Sequence, residues 1–338
     1  MKLLVTGGAG FIGSNFIRYW TKSNPKDHIV NFDKLTYSGN LNNLQEIENN
    51  KNYTFIQGDI CDFETLANTI DKYNIETIVH FAAESHVDRS ILGPSEFIQT
   101  NINGTFNILE AIRKSSHIRL HDISTDEVFG SLDINDSKFS ESTRYSPRSP
   151  YSASKAASDH LVRAYIDTYG IKATISNCSN NYGPYCYPEK LIPLTITRAL
   201  MDQKIPIYGT GEQIRDWIHV EDHCMGIELI LKNGNLGETY LLGGNGERSN
   251  IWIVKEILRI LNKPESLIQF VGDRKGHDFR YAIDFSKANK ELGFKPQRSI
   301  EQRLIETVEW YKNNEDWWIP LKDSADIIAE NYLKIVRA

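Results

Sequence analysis

The sequence has few cysteines and no excess of positive charge, and each absence excludes a class of protein. Its four cysteines in 338 residues form no C-x-x-C pair and have no histidine at zinc-site spacing. Lys and Arg number 38 against 44 Asp and Glu, a net charge of −6, which leaves no electrostatic footprint for nucleic acid or an anionic membrane. We therefore expect free thiols, no metal site, and neither a nucleic-acid nor a membrane partner.

Long apolar runs are also missing. No stretch approaches the roughly 18 apolar residues of a membrane span. The opening run at 1–5 stops at Thr6, which is too short for the core of a signal peptide. With 40% apolar and 11% aromatic residues, the chain has the composition of a folded protein with a substantial core. We expect a cytoplasmic protein.

Short apolar runs alternate with amphipathic stretches in the first half of the chain. The pattern predicts strands at 2–6, 29–33, 53–57, 77–82, 118–124 and 173–178. Helical periodicity begins at Ile12, Glu64 and Pro94 and returns over 152–169. This alternation predicts an α/β fold with a Rossmann-like, doubly wound parallel sheet.

Regularity weakens after Tyr182. Helices are expected at 191–201, 222–231 and 250–261, with short strands around Ile207 and Ile218. We predict a nucleotide-binding domain at 1–182, a smaller mixed α/β C-terminal substrate domain at 183–313 and a tail at 314–338 of no assigned role. Part of 215–245 is predicted to return to the first domain, and a cleft between the two domains is the expected ligand site.

A glycine-rich turn follows the first strand and opens the first helix. Gly7, Gly10 and Gly13 let the backbone turn tightly and approach a pyrophosphate at the helix N-terminus. Asp33 ends the second strand, where a carboxylate binds the ribose 2′-hydroxyl of NAD and repels the 2′-phosphate of NADP. The cofactor is therefore predicted to be NAD, although Lys34 weakens the preference. Asp59 and Ile60 could hold the adenine or belong to a helix N-cap.

Tyr151 and Lys155 are four residues apart, so on a helix they project from one face. A cation beside a phenol favours the phenolate, so we expect a lowered Tyr151 pKa, suited to a general base beside NAD. Thr125, at the end of the fifth strand, could add a hydrogen bond to a substrate.

Asp126 and Glu127 follow at the carboxyl edge of the sheet, where doubly wound folds bind ligands. Such a pair suits proton removal by one carboxylate and proton donation by the other, if their pKa values are driven apart.

These residues resemble the extended short-chain dehydrogenase/reductases and, within them, the sugar-nucleotide 4,6-dehydratases, from Lys2 to about Tyr311. The resemblance rests on ordered blocks at 6–13, 33–40, 80–88, 124–130, 151–155, 177–184, 214–217 and 273–278.

The resemblance implies a three-step reaction. Tyr151 takes the 4-hydroxyl proton while hydride passes from C4 to NAD, with Thr125 steadying the oxygen and Lys155 holding the cofactor ribose. Glu127 then removes the C5 proton as Asp126 protonates the leaving 6-hydroxyl. Hydride returns to C6, so the net reaction is the loss of water from a nucleotide-linked glucose.

The resemblance also implies ligand contacts and an assembly. Further cofactor contacts fall at Phe11, Ile12, Asp33, Asp59, Ile60, Ala82, Ala83, Thr100 and Asn181. Sugar-nucleotide contacts fall at Ser85, Asn180, Lys190, Leu191, Tyr208, Arg215, Asn250, Arg274 and His277. A homodimer through the helices near Pro94 and Tyr151 is expected.

Several alternatives remain open. dTDP-glucose is the substrate that the resemblance favours, and UDP-glucose is the alternative because base recognition depends on few contacts. An epimerase would keep the cofactor turn, Tyr151 and Lys155 but characteristically lacks the Asp-Glu pair. A non-catalytic NAD-binding module would tend to lose Tyr151 or Lys155.

Overall fold

The structure is a computed structural model that describes residues 1–115, 117–274, 276–323 and 327. Within these residues, seven parallel strands form the main sheet, in the order β3-β2-β1-β4-β5-β6-β10. The strands are β1 Lys2–Thr6, β2 His28–Asp33, β3 Tyr53–Gln57, β4 Thr77–His80, β5 Arg119–Thr125, β6 Lys172–Cys178 and, after three strands of the smaller sheets, β10 Thr239–Leu242. Parallel pairing throughout confirms the predicted sheet.

Helices cover both faces of this sheet. They are α1 Phe11–Ser23, α2 Phe63–Tyr73, α5 Thr105–Lys114, α6 Pro150–Tyr169 and α8 Val220–Asn233. The short helices α3 Val87–Leu92 and α4 Ser95–Phe97 pack on α6, and α7 Leu191–Leu200 packs within the second half of the chain. Alternating side chains of β1 reach the two faces: Leu3 and Val5 pack with the apolar residues of α1 and α8, and Leu4 packs with those of α2, α5 and α6. The doubly wound fold is confirmed.

Two predicted elements differ in detail. The helix expected from Pro94 is α4 and α5 joined by a π-helical segment, Ile98–Gly104. The strand expected at 77–82 ends at His80, and the next residues leave the sheet where Gly7 packs against the backbone of Ala82.

The second half of the chain adds smaller sheets. These are β7 Asn180–Tyr182, β9 Ile214–His219 and β11 Glu247–Ser249 in one sheet, and β8 Ile205–Tyr208 paired with β12 Ile268–Val271 in another. Three more helices are α9 Asn250–Ile260, α10 Ser286–Leu292 and α11 Ile300–Asn313. Residues 315–323 form a further helix, called here the C-terminal helix; the rest of the predicted tail, apart from 327, lies outside the described residues.

The division at residue 182 stays a prediction. Strand β10 lies beside β6 in the main sheet, and α8 packs on α1. The second half of the chain therefore completes the first sheet as well as forming its own small sheets.

Candidate active site

A cavity of about 470 Å³ lies at the carboxyl edge of the main sheet and extends to the smaller sheets. The glycine-rich turn lines one end, and Arg274 and His277 line the other. Every residue singled out in the sequence lines this cavity except Asp126; the full set is Gly7, Gly10, Phe11, Ile12, Gly13, Asp33, Lys34, Asp59, Ile60, Ala82, Ala83, Ser85, Thr100, Thr125, Glu127, Tyr151, Lys155, Asn180, Asn181, Lys190, Leu191, Tyr208, Arg215, Asn250, Arg274 and His277. Segments far apart in the chain therefore converge on one cleft.

The glycine-rich turn has the shape that a pyrophosphate requires. Gly7 has a positive φ of 68°, which favours glycine, and a Cβ on Gly13 would lie 2.3 Å from the carbonyl oxygen of Gly7. Gly10 precedes α1 without a side-chain cap, so the first N–H groups of that helix face the cavity end of the turn. The turn therefore fits a dinucleotide.

Asp33 is buried beneath the turn. Its Oδ2 accepts the backbone N–H of Ala9 at 2.9 Å, and its Oδ1 accepts that of Leu35 at 2.8 Å. Burial raises the pKa of Asp33, and the two N–H donors act against that rise. Lys34 forms an ion pair with Asp59 at 2.8 Å, so its charge is matched inside the protein. Asp59 is not the cap of α2, because Asp62 occupies that position.

Tyr151 and Lys155 lie one turn apart near the start of α6. Ser149 caps this helix in a reciprocal pair with Ser152, and Pro150 occupies its first position. The Lys155 ammonium donates to the carbonyl oxygen of Ile123, a residue of β5, at 2.8 Å. The capped start of α6 thus holds both side chains at the sheet edge.

The expected lowering of the Tyr151 pKa is wrong. Burial raises the pKa of Tyr151 well above its usual value, and the charge of Glu127 adds to the rise. The Lys155 ammonium interacts with a backbone carbonyl instead of the phenol. A hydrogen bond with Thr125 opposes the rise.

Asp126 and Glu127 occupy a 3₁₀ turn, Asp126–Phe129, directly after β5. Successive residues of such a turn point about 120° apart. Glu127 therefore faces the cavity, whereas Asp126 is fully buried behind the cavity wall. The expectation that both carboxyl groups line the cleft is wrong for Asp126.

The surroundings of the two carboxyl groups differ in charge. Burial raises the pKa of Asp126 well above its usual value, and Glu127 and Asp216 raise it further. Burial also raises the pKa of Glu127, but Arg274, Lys190 and Arg215 oppose that rise. The two carboxyl groups thus differ in what surrounds them: neighbouring carboxyl groups add to the rise of the Asp126 pKa, whereas three cations oppose the rise of the Glu127 pKa.

Cationic side chains gather at the far end of the cavity. Arg215 is buried, lies 4.2 Å from the ring centroid of Tyr281 and donates to the carbonyl oxygen of Asp278 at 3.0 Å. Arg274 lies 3.5 Å from the Asp88 carboxylate, and the Lys190 ammonium donates to the carbonyl oxygen of Ser85 at 3.0 Å. This end can bind a diphosphate through guanidinium forks.

Several cavity residues were missed in the sequence. The Tyr37 hydroxyl donates to Glu189 at 2.8 Å, and the Tyr208 hydroxyl donates to Asp88 at 3.0 Å. Tyr37 and Asp88 lie within blocks that carried the resemblance, so their position was a usable signal. For Glu189 the only signal in the sequence was its position next to Lys190.

Metal and membrane features were searched over the part of the chain that the structure describes. In that part no three His, Cys, Asp or Glu side chains are grouped to hold a metal ion. No helix there is both long and apolar enough to cross a bilayer.

The fold and the cleft define a short-chain dehydrogenase/reductase of the extended, sugar-nucleotide type. The family model described as GDP-mannose 4,6 dehydratase matches residues 4–307. The dTDP-glucose 4,6-dehydratase of Escherichia coli is 51% identical, over 96% of this chain and 97% of that protein.

Solved structures agree. The dTDP-glucose 4,6-dehydratase of Bacillus anthracis, in complex with NAD, is 48% identical with a TM-score of 0.89, over 95% of this chain and 99% of that one. The Streptomyces venezuelae enzyme of the same name, with NAD bound, is 46% identical with a TM-score of 0.92, over 95% and 100%. The chain belongs to the dTDP-glucose 4,6-dehydratase family.

Proposed function

We propose that the protein converts dTDP-glucose to dTDP-4-keto-6-deoxyglucose with NAD, by C4 oxidation, elimination of water across C5 and C6, and reduction at C6. The carrying observation is that Glu127, Tyr151 and the glycine-rich turn line one cavity. Because the hydride that leaves C4 returns to C6, the enzyme is a hydro-lyase in net chemistry.

The cofactor half of the cavity fits NAD. The glycine-rich turn and the N-terminus of α1 hold the pyrophosphate, and Asp33 accepts the adenosine ribose hydroxyl. Lys155 holds the nicotinamide ribose. When bound, NAD supplies the hydride acceptor and the positive charge of its oxidised ring.

Tyr151 removes the proton from the 4-hydroxyl. Burial raises its pKa first and Glu127 next. Positive charge beside the phenol, as from an oxidised nicotinamide, would lower this pKa and favour the phenolate. Thr125 lies within hydrogen-bonding reach of the phenol and steadies the oxygen at C4.

Glu127 and Asp126 divide the elimination between them. Glu127 faces the cavity as a carboxylate and removes the proton from C5, which the C4 ketone makes acidic. Asp126 is the proton donor to the leaving 6-hydroxyl, since its surroundings favour the protonated acid. Its Oδ2 has no hydrogen-bond partner among the described residues, so no hydrogen bond to Oδ2 opposes the rotation that would bring it from behind the cavity wall to the 6-hydroxyl.

Arg215 and Arg274 bind the diphosphate of the sugar nucleotide, and the remaining substrate contacts surround them. This placement leaves the sugar between the diphosphate and the nicotinamide, beside Tyr151 and Glu127. The thymine base is assigned from the family membership.

The assay for a 4-keto sugar tests this function. Purified protein is incubated separately with dTDP-glucose and UDP-glucose, and the alkali-induced near-ultraviolet chromophore of the keto sugar is followed. We expect the chromophore with dTDP-glucose and about 10²- to 10⁴-fold less in Tyr151→Phe, the usual contribution of a general base. No chromophore with either sugar would refute the dehydratase assignment. A chromophore with UDP-glucose alone would refute the assignment of dTDP as the substrate's nucleotide.

The homodimer and the cytoplasmic location belong to the same proposal. Ile98 and Phe106 expose apolar side chains on the segment that packs beside α6, which suits a face between two copies. Light scattering that gave the mass of one chain would contradict the dimer.

All four cysteines are free, which suits a reducing compartment. Labelled protein that fractionated outside the cytoplasm would contradict that location.

A further inference from the structure

The C-terminal helix belongs to an aromatic cluster beside α11. The Trp317 ring lies 5.2 Å from Trp310 and 5.5 Å from Tyr185, measured between ring centroids. Trp318 is fully buried, and its indole N–H donates to the carbonyl oxygen of Tyr311 at 2.9 Å. The helix is therefore fixed to the substrate half of the molecule by packing.

One side chain of this helix contacts the cofactor half. The Trp317 indole N–H donates to Asn43 Oδ1 at 2.8 Å, in the 3₁₀ turn Leu41–Ile47. Asn43 is almost completely buried, and its backbone carbonyl accepts from Arg18 on α1 at 3.1 Å. Asn43 therefore joins the C-terminal helix to the helix that follows the glycine-rich turn.

The amide nitrogen of Asn43 contacts the glycine-rich turn itself. Its Nδ2 donates to the carbonyl oxygen of Ala9 at 2.9 Å, and the backbone N–H of Asn40 donates to the same oxygen at 3.0 Å. The N–H of Ala9 in turn donates to Asp33. A continuous hydrogen-bonded chain thus runs from Trp317 through Asn43 to Ala9 and Asp33.

The chemistry of a primary amide makes this chain directional. An amide has one acceptor end and one donor end, and a donor placed at Oδ1 determines which way it faces. With Trp317 donating to Oδ1, Nδ2 must face Ala9. Without that donor the buried Oδ1 loses its partner, so the amide loses one of the two side-chain hydrogen bonds that fix it against Ala9 in the turn that cradles the pyrophosphate.

We propose that Trp317 is a positioning residue for the dinucleotide, acting through Asn43 to hold the glycine-rich turn in its binding shape. This inference rests on the proposed use of NAD. It gives the first part of the C-terminal tail a role: the tail slows release of a cofactor that must stay bound between hydride removal and hydride return.

The test is exchange of bound NAD in the holoenzyme without any sugar. Holoenzyme loaded with labelled NAD is mixed with excess unlabelled NAD, and loss of label from the protein is timed. In Trp317→Phe, which keeps an aromatic ring but lacks the N–H, we expect release about 2- to 10-fold faster, the effect of one hydrogen bond. Asn43→Asp keeps the acceptor for Trp317 but loses the donor to Ala9, and should release label at least as fast.

Trp310→Phe is the matched control. It removes the same volume from the same cluster but is not part of the chain to Ala9, so its release rate should equal that of the wild type. Melting temperatures of the sugar-free proteins measure any loss of packing separately. If Trp317→Phe does not fold, Trp317→Leu, which also lacks the N–H, is compared with Trp310→Leu instead.

The outcomes separate the two proposals. Equal release rates in Trp317→Phe and Trp310→Phe, with wild-type holoenzyme that carries NAD, would overturn the positioning role and leave the dehydratase proposal intact. Wild-type protein that holds no NAD would refute the proposed cofactor use and this inference with it.

Discussion

The two halves of the cleft are built to hold their ligands in different ways. The cofactor half uses backbone: the close approach at Gly7 and Gly13, the N-terminus of α1, and one buried carboxylate, Asp33. Each of these features lies at the carboxyl end of a neighbouring strand. The substrate half uses long charged side chains, and they come from three separate segments, at Lys190, Arg215 and Arg274.

This difference separates recognition of shape from recognition of charge. A glycine-rich turn selects a pyrophosphate by how closely the backbone can approach. Arg215, Arg274 and Lys190 instead supply charge, and the same three cations surround Glu127. Substitutions at the charged end should therefore change substrate binding and elimination while leaving the bound cofactor in place.

The largest expected effect separates oxidation from elimination. Glu127→Gln removes the base for C5 but leaves Tyr151 and the cofactor turn, so the sugar should still reduce bound NAD. Formation of the 4-keto-6-deoxy product should fall by about 10²- to 10⁴-fold. A single-turnover experiment measures both quantities, by NADH absorbance and by the alkali-induced chromophore.

Asp126→Asn is the companion variant. It preserves the shape of the buried side chain and removes the acidic proton, so oxidation should again persist while elimination slows. Unchanged product formation in Asp126→Asn would show that the acid comes from another group. Unchanged product formation in Glu127→Gln would refute the role of Glu127 as the base that removes the C5 proton.

A smaller effect is expected from Arg274→Lys. Lysine keeps the positive charge but cannot make the two parallel hydrogen bonds of a guanidinium to phosphate oxygens. Losing one charged hydrogen bond costs about 1.5–3 kcal/mol, so the KM for dTDP-glucose should rise about 10- to 100-fold. The amount of NAD that copurifies should not change.

Arg148→Lys is the control for that change. Arg148 is an exposed arginine 3.5 Å from Asp278 that does not line the cavity, so the KM should stay near the wild-type value. An equal rise of the KM in both variants would mean that replacing any arginine near the cleft has this effect, and that Arg274 has no specific contact with the diphosphate. Loss of copurified NAD in Arg274→Lys would break the proposed separation of the two halves.

The same contrast explains how much the sequence could predict. Apolar runs and helical periodicity located β1 to β6, because each strand and its crossover helix is specified within about 30 residues. The spacing from Gly7 to Gly13 and on to Asp33 located the cofactor half for the same reason. The substrate half is assembled by tertiary packing, so Arg215, Arg274 and Lys190 entered through resemblance and not through local pattern.

Two failures show where local reasoning ends. Helical spacing correctly predicted that Tyr151 and Lys155 lie on one side of α6. Whether the ammonium contacts the phenol depends on the Ile123 carbonyl of β5, which spacing on α6 does not report. Likewise, which of Asp126 and Glu127 faces the cavity depends on the 3₁₀ turn that follows β5.

The smallest expected effect is a shift in the pH dependence of the oxidation step, caused by the charge of Glu127 acting on the pKa of Tyr151. Tyr151 acts as a base, and its pKa is raised, so the rate of NADH appearance in a single turnover should rise with pH. After burial, the charge of Glu127 is the largest contribution to that raised pKa. Glu127→Gln should therefore lower the pKa of Tyr151 and move the rise to lower pH, with little change in the plateau rate.

Asp126→Asn again provides the contrast. The pKa of Asp126 is itself raised well above its usual value, which disfavours the charged form that the substitution would remove. Asp126 also raises the Tyr151 pKa less than Glu127 does. The pH profile of oxidation in Asp126→Asn should therefore stay close to that of the wild type. No shift in Glu127→Gln, or a shift to higher pH, would contradict the effect of the Glu127 charge on the phenol. Equal shifts in the two variants would contradict the smaller contribution of Asp126.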